Sequence, residues 1–285
     1  MKPLLLTVCA ILLASAAAAQ EGIATSPASD GTEALNIYVP LGFDHILPQG
    51  LDHILFILGL LFFRARLAPL GRQIAAFTIA HSLALWLSVL GLWSVPVQIA
   101  GPVIAVSIVY VGLDNVLSAG NRSEGLGTPR LLMIFGFGLA HGLGLAAALM
   151  AIGLPPGDEI AALTGFNIGV EFGQLAVLAL AFGLVWYALK VDRGEGDVTK
   201  AQFLYVLLVI GFAALGPLLD GPMFRDAMGA PAPMIFWPLA GLAALCAISA
   251  TLVDQLGAYR RFTARPASAV IALIGAWWFI ERTFL

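Results

Sequence analysis

The feature that most restricts the fold of this chain is a series of long apolar runs separated by short polar breaks. Eight runs follow one another, at residues 41–63, 74–93, 98–118, 131–153, 160–189, 201–219, 235–255 and 267–284. Each is close to or above the length of about 20 residues that a helix needs to cross a bilayer. Open strands cannot satisfy their backbone hydrogen bonds in hydrocarbon, whereas helices can. The pattern therefore predicts an all-α, polytopic membrane helix bundle with about seven or eight spans.

The composition argues against a soluble protein and against a nucleic-acid-binding protein. Only 11 % of the residues are charged, compared with roughly 25 % in soluble domains. The net charge of −3 provides no basic surface for nucleic acid, so we expect a lipid bilayer and no nucleic acid among the partners. The two cysteines, Cys9 and Cys246, are too few and too differently placed for a disulfide framework or a thiolate metal site.

The amino terminus has the pattern of a secretory signal peptide. Lys2 precedes an apolar stretch from Leu4 to Ala14, and small residues follow up to Gln20. This apolar stretch is too short to cross a membrane. We therefore expect residues 1–19 to be removed and residues 20–40 to form a short periplasmic segment.

The basic residues predict the orientation of the spans. Four connections carry eleven of the 14 basic residues: Arg64, Arg66 and Arg72; Arg122 and Arg130; Lys190, Arg193 and Lys200; Arg260, Arg261 and Arg265. Connections rich in Lys and Arg stay in the cytoplasm. The prediction is a multi-pass protein of the bacterial inner membrane with its mature amino terminus in the periplasm. Residues 41–190 would form a five-helix core and residues 191–285 the C-terminal helices.

All four histidines of the chain, His45, His53, His81 and His141, lie within predicted spans. Ionisable groups are costly inside a membrane and usually face a bundle interior or a polar cavity. Pro48 and Gly50 lie between His45 and His53, so we expect the first span to be kinked or broken there. Broken helices at membrane depth are common where transporters bind ions.

A second polar pattern lies in the fifth span. Asn167, Glu171 and Gln174 are spaced i, i+4 and i+7, which places them on one helix face. Such a stripe can join helices by hydrogen bonds, but the acid at its centre favours a cation, a proton or a histidine as partner. Imidazole and carboxylate groups suit divalent nickel, cobalt or zinc. When one ring nitrogen of a histidine binds a metal, the other ring N–H needs a hydrogen-bond acceptor. Asp52, Ser82, Asn167 or Glu171 could be that acceptor.

Four motifs resemble the HupE/UreJ family of bacterial membrane proteins. They are Gly-Phe-Asp-His-Ile-Leu-Pro-Gln-Gly-Leu-Asp-His-Ile-Leu-Phe at 42–56, Phe-Thr-Ile-Ala-His-Ser-Leu at 77–83, Phe-Gly-Leu-Ala-His-Gly-Leu-Gly at 137–144 and Phe-Asn-Ile-Gly-Val-Glu-Phe-Gly-Gln at 166–174. The resemblance implies nickel or cobalt transport. The resemblance also implies a set of functional positions, which would be the metal ligands: His45, Asp52, His53, His81, His141 and Glu171. The supporting polar residues would be Ser82, Asp114, Asn115, Asn167 and Gln174.

Three functions remain open at this point. The first is a divalent-metal transporter with a site at the membrane midplane. The second is a membrane-embedded zinc hydrolase in which Glu171 or Asp52 acts as general base. The third is a metal-sensing or assembly subunit without turnover. The sequence also leaves the metal and the oligomeric state open, with a homo-oligomer among the options.

Overall fold

The computed structural model of the protein describes residues 31–63, 65–117, 127–254 and 257–285, and within these ranges the chain contains helices and no strand. The helices are α1 (Gly31–Ile46), α2 (Leu51–Phe63), α3 (Leu67–Val89), α4 (Val97–Leu117), α5 (Thr128–Ile152), α6 (Glu159–Asp192), α7 (Val198–Leu219), α8 (Pro222–Met228), α9 (Ala232–Thr251) and α10 (Arg265–Phe284). A π-helix at Arg260–Ala264 leads into α10. The predicted all-α bundle is confirmed. The predicted signal peptide lies outside the described residues.

The first predicted span is broken into α1 and α2, whose axes differ by 65°. The break contains Pro48 and Gly50, as expected from the sequence. A side chain at position 50 would bring its Cβ within 2.3 Å of the His45 carbonyl oxygen, so only glycine fits this turn. α1 begins at Gly31, and the second half of the predicted polar segment 20–40 is therefore helical.

Six helices of the described chain are long and apolar enough to cross a membrane, and the bent α1–α2 pair makes a seventh candidate. The predicted span at 74–93 forms most of α3, which has 23 residues but is not among these candidates. Its sequence includes Arg72, Gln73 and His81, which lower its hydropathy. α3 instead packs along α5, so that its polar groups Gln73 and His81 are buried in protein.

Four pairs of helices make the most extensive contacts: α1 with α6, α3 with α5, α4 with α10, and α7 with α9. Close contacts at glycines give the direction of each pair. Gly165 approaches Leu35 and Gly173 approaches Ile46, so α1 and α6 are parallel. Likewise, α3 and α5 are parallel, whereas α4 and α10 are antiparallel. The bundle thus has a first end, where α1, α4 and α6 begin, and a second end, where α3, α5 and α10 begin.

The basic residues of the described chain are segregated between these two ends. The helix directions place nine of them at the second end: Arg66, Arg72, Arg130, Lys190, Arg193, Lys200, Arg260, Arg261 and Arg265. Arg225 and Arg282 lie at the first end. Arg130 is buried, donates to Gln73, pairs with Asp114 and stacks 3.5 Å from the Phe63 ring centre. This contact ties four helices together at the second end.

Candidate metal-binding chamber

The four histidines, hereafter the histidine cluster, come from four different helices and meet inside the bundle. The His53 ring on α2 lies at its centre, with ring-centre distances of 5.1 Å to His45 on α1, 5.6 Å to His81 on α3 and 4.7 Å to His141 on α5. His53, His81 and His141 are buried. The structure therefore brings together all four histidines that the sequence analysis selected.

Close helix packing explains how His81 and His141 come so near to each other. A Cβ at position 142 would lie 2.3 Å from the His81 carbonyl oxygen, and one at position 138 would lie 2.5 Å from that of Phe77. Glycine at both positions lets the α3 and α5 backbones touch, as small residues do at membrane helix interfaces.

Hydrogen bonds orient two of the four rings. Asp52 Oδ1 lies 3.1 Å from His53 Nδ1 and also accepts from the His53 backbone N–H. Because a carboxylate can only accept, His53 carries its proton on Nδ1 and leaves the lone pair on Nε2. Carboxylate support of this kind is common behind metal-binding histidines.

Ser107 on α4 orients His141 in a similar way. Its hydroxyl donates to the Ile104 carbonyl oxygen at 2.6 Å and lies 3.0 Å from His141 Nε2. With its proton already used, the Ser107 oxygen accepts from Nε2–H, which leaves the lone pair of His141 on Nδ1. Sequence reasoning missed Ser107, since a single serine in an apolar helix gives no signal of its position relative to a histidine.

One nitrogen of every ring in the cluster is buried without a hydrogen-bond partner: His45 Nε2, His53 Nε2, His81 Nε2 and His141 Nδ1. A buried polar atom left unpaired costs about 1–3 kcal/mol, and most such atoms in folded proteins do find partners. For His53 and His141 the unpaired nitrogen is the one that the tautomer leaves free to donate a lone pair. The cluster therefore contains four buried ring nitrogens whose hydrogen-bonding or ligand capacity is unused.

The donor set fits a transition-metal ion, although the rings are not yet arranged around one. Within the described chain, no three His, Cys, Asp or Glu side chains converge in the geometry of a metal site. The ring separations of 4.7–5.6 Å are nevertheless suitable. Two imidazoles bound at about 2.1 Å to one tetrahedral ion have ring centres about 5 Å apart. Each of the three outer rings thus lies at a distance from His53 that two ligands of one ion could have.

A cavity of about 420 Å³ reaches the cluster from the first end of the bundle. Gln98 at the start of α4 and Arg282 near the end of α10 line its outer part, whereas His45, His53 and His141 line its inner part. Asp52 lies between them and is half-buried. A cavity with both polar and apolar lining residues thus connects one end of the bundle with the histidines.

Aromatic side chains close the opposite side of the cluster. Phe56 and Phe77 lie 4.9 Å apart and contact the His141 ring at 5.3 and 5.2 Å, and Phe137 packs against Phe56. All three belong to the apolar core that continues towards the second end. The histidines therefore lie between the cavity and the apolar core.

Glu171 is not placed with the histidines. It is exposed on α6, on the face that also exposes Ile168 and Leu175, whereas the face of α6 towards α1 carries Phe166, Gly169 and Gly173. The three polar residues of the predicted stripe, Asn167, Glu171 and Gln174, therefore lie in different environments. Gln174 is buried and accepts a hydrogen bond from Thr78, while Asn167 donates to Leu163 within its own helix.

The other predicted supporting residues also lie away from the histidine rings or serve different contacts. Asn115 donates to the Gly59 carbonyl oxygen and to Ser268 Oγ, and so joins α4 to α2 and α10. Asp114 pairs with Arg130 at the second end. Ser82 is half-buried on α3 beside His81. Of the predicted metal ligands and supporting residues, Asp52 is the one that bonds to a ring of the cluster.

The fold and the site together describe a polytopic helical membrane protein with a buried histidine cluster at the inner part of a cavity. The family comparison is consistent with this description: the family model described as HupE / UreJ protein matches residues 20–217. The chain therefore belongs to the HupE/UreJ family. No curated protein and no solved structure matches the chain.

Proposed function

We propose that this protein transports a divalent transition-metal ion, nickel or cobalt, through the histidine cluster. The observation that carries the proposal is the set of four buried ring nitrogens without partners, contributed by four helices to one place. The HupE/UreJ family, which is associated with nickel and cobalt transport or with maturation of the enzymes that use these metals, supports the same conclusion.

The choice of ion follows from the donor chemistry. Neutral imidazole nitrogens with a nearby carboxylate suit nickel, cobalt or zinc, whereas copper(I) prefers sulfur. Cys246 lies buried in α9, in the apolar core cluster and not among the residues that line the cavity. No thiolate competes for the ion there. A site of this kind binds a divalent ion through nitrogen and oxygen alone.

The path of the ion follows from the two sides of the cluster. The ion enters the cavity at the first end, meets Asp52 and His53, and is bound by the unpaired ring nitrogens. Phe56, Phe77 and Phe137 must then separate to release it towards the second end. The described conformation corresponds to the state that is open to the first end, and transport requires a second state with the aromatic contacts opened.

The orientation in the cell follows from the basic residues. Nine of them lie at the second end, which we assign to the cytoplasm by the positive-inside tendency. The first end with its cavity then faces the periplasm, and the protein would import metal across the bacterial inner membrane. This assignment also agrees with a cleaved signal peptide, which delivers the mature amino terminus to the periplasm.

The experiment that tests the proposal is metal uptake into sealed proteoliposomes that contain the purified protein. We expect uptake of nickel or cobalt by the wild type and loss of uptake by His53→Gln, which keeps polarity but removes the imidazole. Thr251→Ala at the exposed end of α9 is the matched control and should transport normally. Chelator-resistant zinc at one ion per chain, with no flux of any metal, would contradict transport and favour the hydrolase alternative.

A further inference from the structure

Arg282, near the end of α10, lies at the outer part of the cavity. Its Nη2 lies 3.9 Å from Asp52 Oδ2, and its Nη1 donates to the Gly101 carbonyl oxygen at 3.2 Å. The guanidinium carbon also lies 5.2 Å from the centre of the Trp278 ring. Among the described residues, no other lysine or arginine lines this cavity.

The position of Arg282 is set by the packing of α10 along α4. A Cβ at Gly112 would lie 2.7 Å from the Ser268 carbonyl oxygen, and one at Gly275 would lie 2.9 Å from the Val109 backbone nitrogen. These close approaches hold the two helices in antiparallel register, which brings Arg282 next to Gly101. α10 lies outside the matched segment 20–217, so this contribution to the site comes from the C-terminal part of the chain.

Asp52 interacts with both the Arg282 guanidinium and the histidine cluster. Its Oδ1 supports His53, and its Oδ2 faces Arg282. A fixed positive charge at the mouth of a cavity repels an incoming cation, and the effect is stronger in the low dielectric of a membrane protein than in water. An ion that binds beside Asp52 must therefore compete with Arg282 for the same carboxylate.

We propose that Arg282 is the built-in counter-cation of the metal site, which occupies Asp52 in the empty protein and is displaced by a divalent ion. This inference rests on the proposed transport function. The Gly101 carbonyl oxygen and the Trp278 ring retain the guanidinium on the α4–α10 side when it leaves Asp52. Competition of this kind favours divalent over monovalent ions, because a single charge gains too little from Asp52 to replace a guanidinium. It also keeps binding weak enough for release.

The test is calorimetric titration of purified protein with nickel and with zinc. Arg282→Gln should bind about tenfold more tightly than the wild type, an effect within the usual range of coupling between two binding events. Arg282→Lys keeps the charge and should remain within about threefold of the wild type. Arg225→Gln is the matched control, since Arg225 lies at the same end but is bonded to Asp220, and its affinity should not change.

A second measurement reports the position of Arg282 without metal. Gln98→Cys places a thiol in the cavity lining, and its rate of modification by a positively charged maleimide is measured in the presence of a chelator. The rate should rise when Arg282→Gln is added. Unchanged rates would show that the charge of Arg282 does not act on cations that enter the cavity and would overturn the proposal, whether or not the titration gives usable data.

The outcomes of the titration separate this proposal from the transport function. Wild-type binding with equal or weaker binding by Arg282→Gln overturns the role of Arg282 and leaves transport standing. Absence of binding in the wild type and in all variants overturns both. Equal tightening by Arg225→Gln would assign the effect to net charge and would also overturn the proposal.

Discussion

Two helix pairs of similar length, α3–α5 and α7–α9, differ in whether their buried polar groups have hydrogen-bond partners. In α7–α9 the buried Tyr205 hydroxyl donates to Leu184 O and accepts from the Ala188 N–H, and Ser249 donates to Cys246 O. In α3–α5 the rings of His81 and His141 each keep a buried nitrogen without a partner. The polar groups of α7–α9 are thus satisfied by α6 and by α9 itself, whereas those of α3–α5 leave ring nitrogens that a ligand could use.

The two pairs also differ in burial. In the most apolar stretch of α5, 50 % of the residues are buried, compared with 11 % in α7 and 22 % in α9. The α7–α9 pair therefore exposes most of its surface to the surrounding membrane, while α5 lies in the interior. We expect substitutions in the α3–α5 pair to affect function first and equivalent substitutions in α7–α9 to affect stability at most.

The largest difference should come from removing one polar group of each pair. His141→Ala should weaken divalent-metal binding by at least about 100-fold, because it removes a proposed ligand and not only a supporting residue. Tyr205→Phe should leave metal binding unchanged and lower the free energy of unfolding by about 1 kcal/mol for the lost hydrogen bonds. Calorimetric titration and thermal unfolding measure both. Equal loss of binding in the two variants would remove the distinction between the pairs.

A second large difference should come from adding volume to glycines. Gly142→Val would place its side chain against the α3 backbone at His81, so we expect about 1–3 kcal/mol of destabilisation from overpacking and loss of metal binding. Gly211→Val in α7 is the control, because a Cβ there has no neighbour within 4 Å. Unfolding temperatures and metal titrations of both variants test this. A Gly142→Val protein with wild-type stability would contradict the close contact of α3 and α5.

A smaller effect is expected from Ser107→Ala. The change removes the acceptor that fixes the tautomer of His141 but leaves every proposed metal ligand in place. Loss of such support typically reduces metal affinity by about 10–100-fold. Ser249→Ala in α9, where the hydroxyl bonds only to its own helix, should have no effect on metal titration. Identical affinities for wild type and Ser107→Ala would mean that His141 does not bind through Nδ1.

Glu171 should matter less than Asp52, although both were predicted as ligands. Glu171→Gln should change metal affinity by less than about threefold, because Glu171 is exposed on α6, whereas Asp52→Asn should weaken it by about tenfold or more. Titration of both variants decides between them. A larger loss with Glu171→Gln would restore it to the metal site.

The smallest effect concerns the connection between α7 and α9. A hydrogen bond from Arg225 lowers the pKa of Asp220 below its ordinary value. The resulting stabilisation is complete above the ordinary carboxyl pKa and is lost as the pH falls through the lowered pKa. Asp220→Asn should therefore flatten the acid limb of the stability profile slightly, without changing metal binding. A changed metal affinity would show that this connection is coupled to the cavity.

The sequence predicts much of this fold for physical reasons. Long apolar runs have few options in a bilayer, and Pro48 with Gly50 interrupts a helix wherever it lies. Histidines are rare enough in such runs that four of them predict a cluster. These features depend on residue type and spacing and not on which way a helix faces.

The sequence could not predict which side of each helix faces the interior of the bundle. On α6 the polar spacing of Asn167, Glu171 and Gln174 does not show which of these side chains is buried: Gln174 is buried, whereas Glu171 faces outward. Ser107 and Arg282 reach the site through the packing of α4 against α5 and α10. Such contacts between helices distant in the chain leave no periodic signal in the sequence.

The most direct test of the central claim is X-ray absorption spectroscopy of the purified protein loaded with one equivalent of nickel. We expect a first shell of nitrogen and oxygen without sulfur, with the multiple-scattering features of at least two imidazoles, and a decrease of these features in His53→Gln and His141→Ala. Thr251→Ala should give the wild-type spectrum. A shell of water and carboxylate oxygens, unchanged by either histidine substitution, would contradict binding of the ion by the histidine cluster.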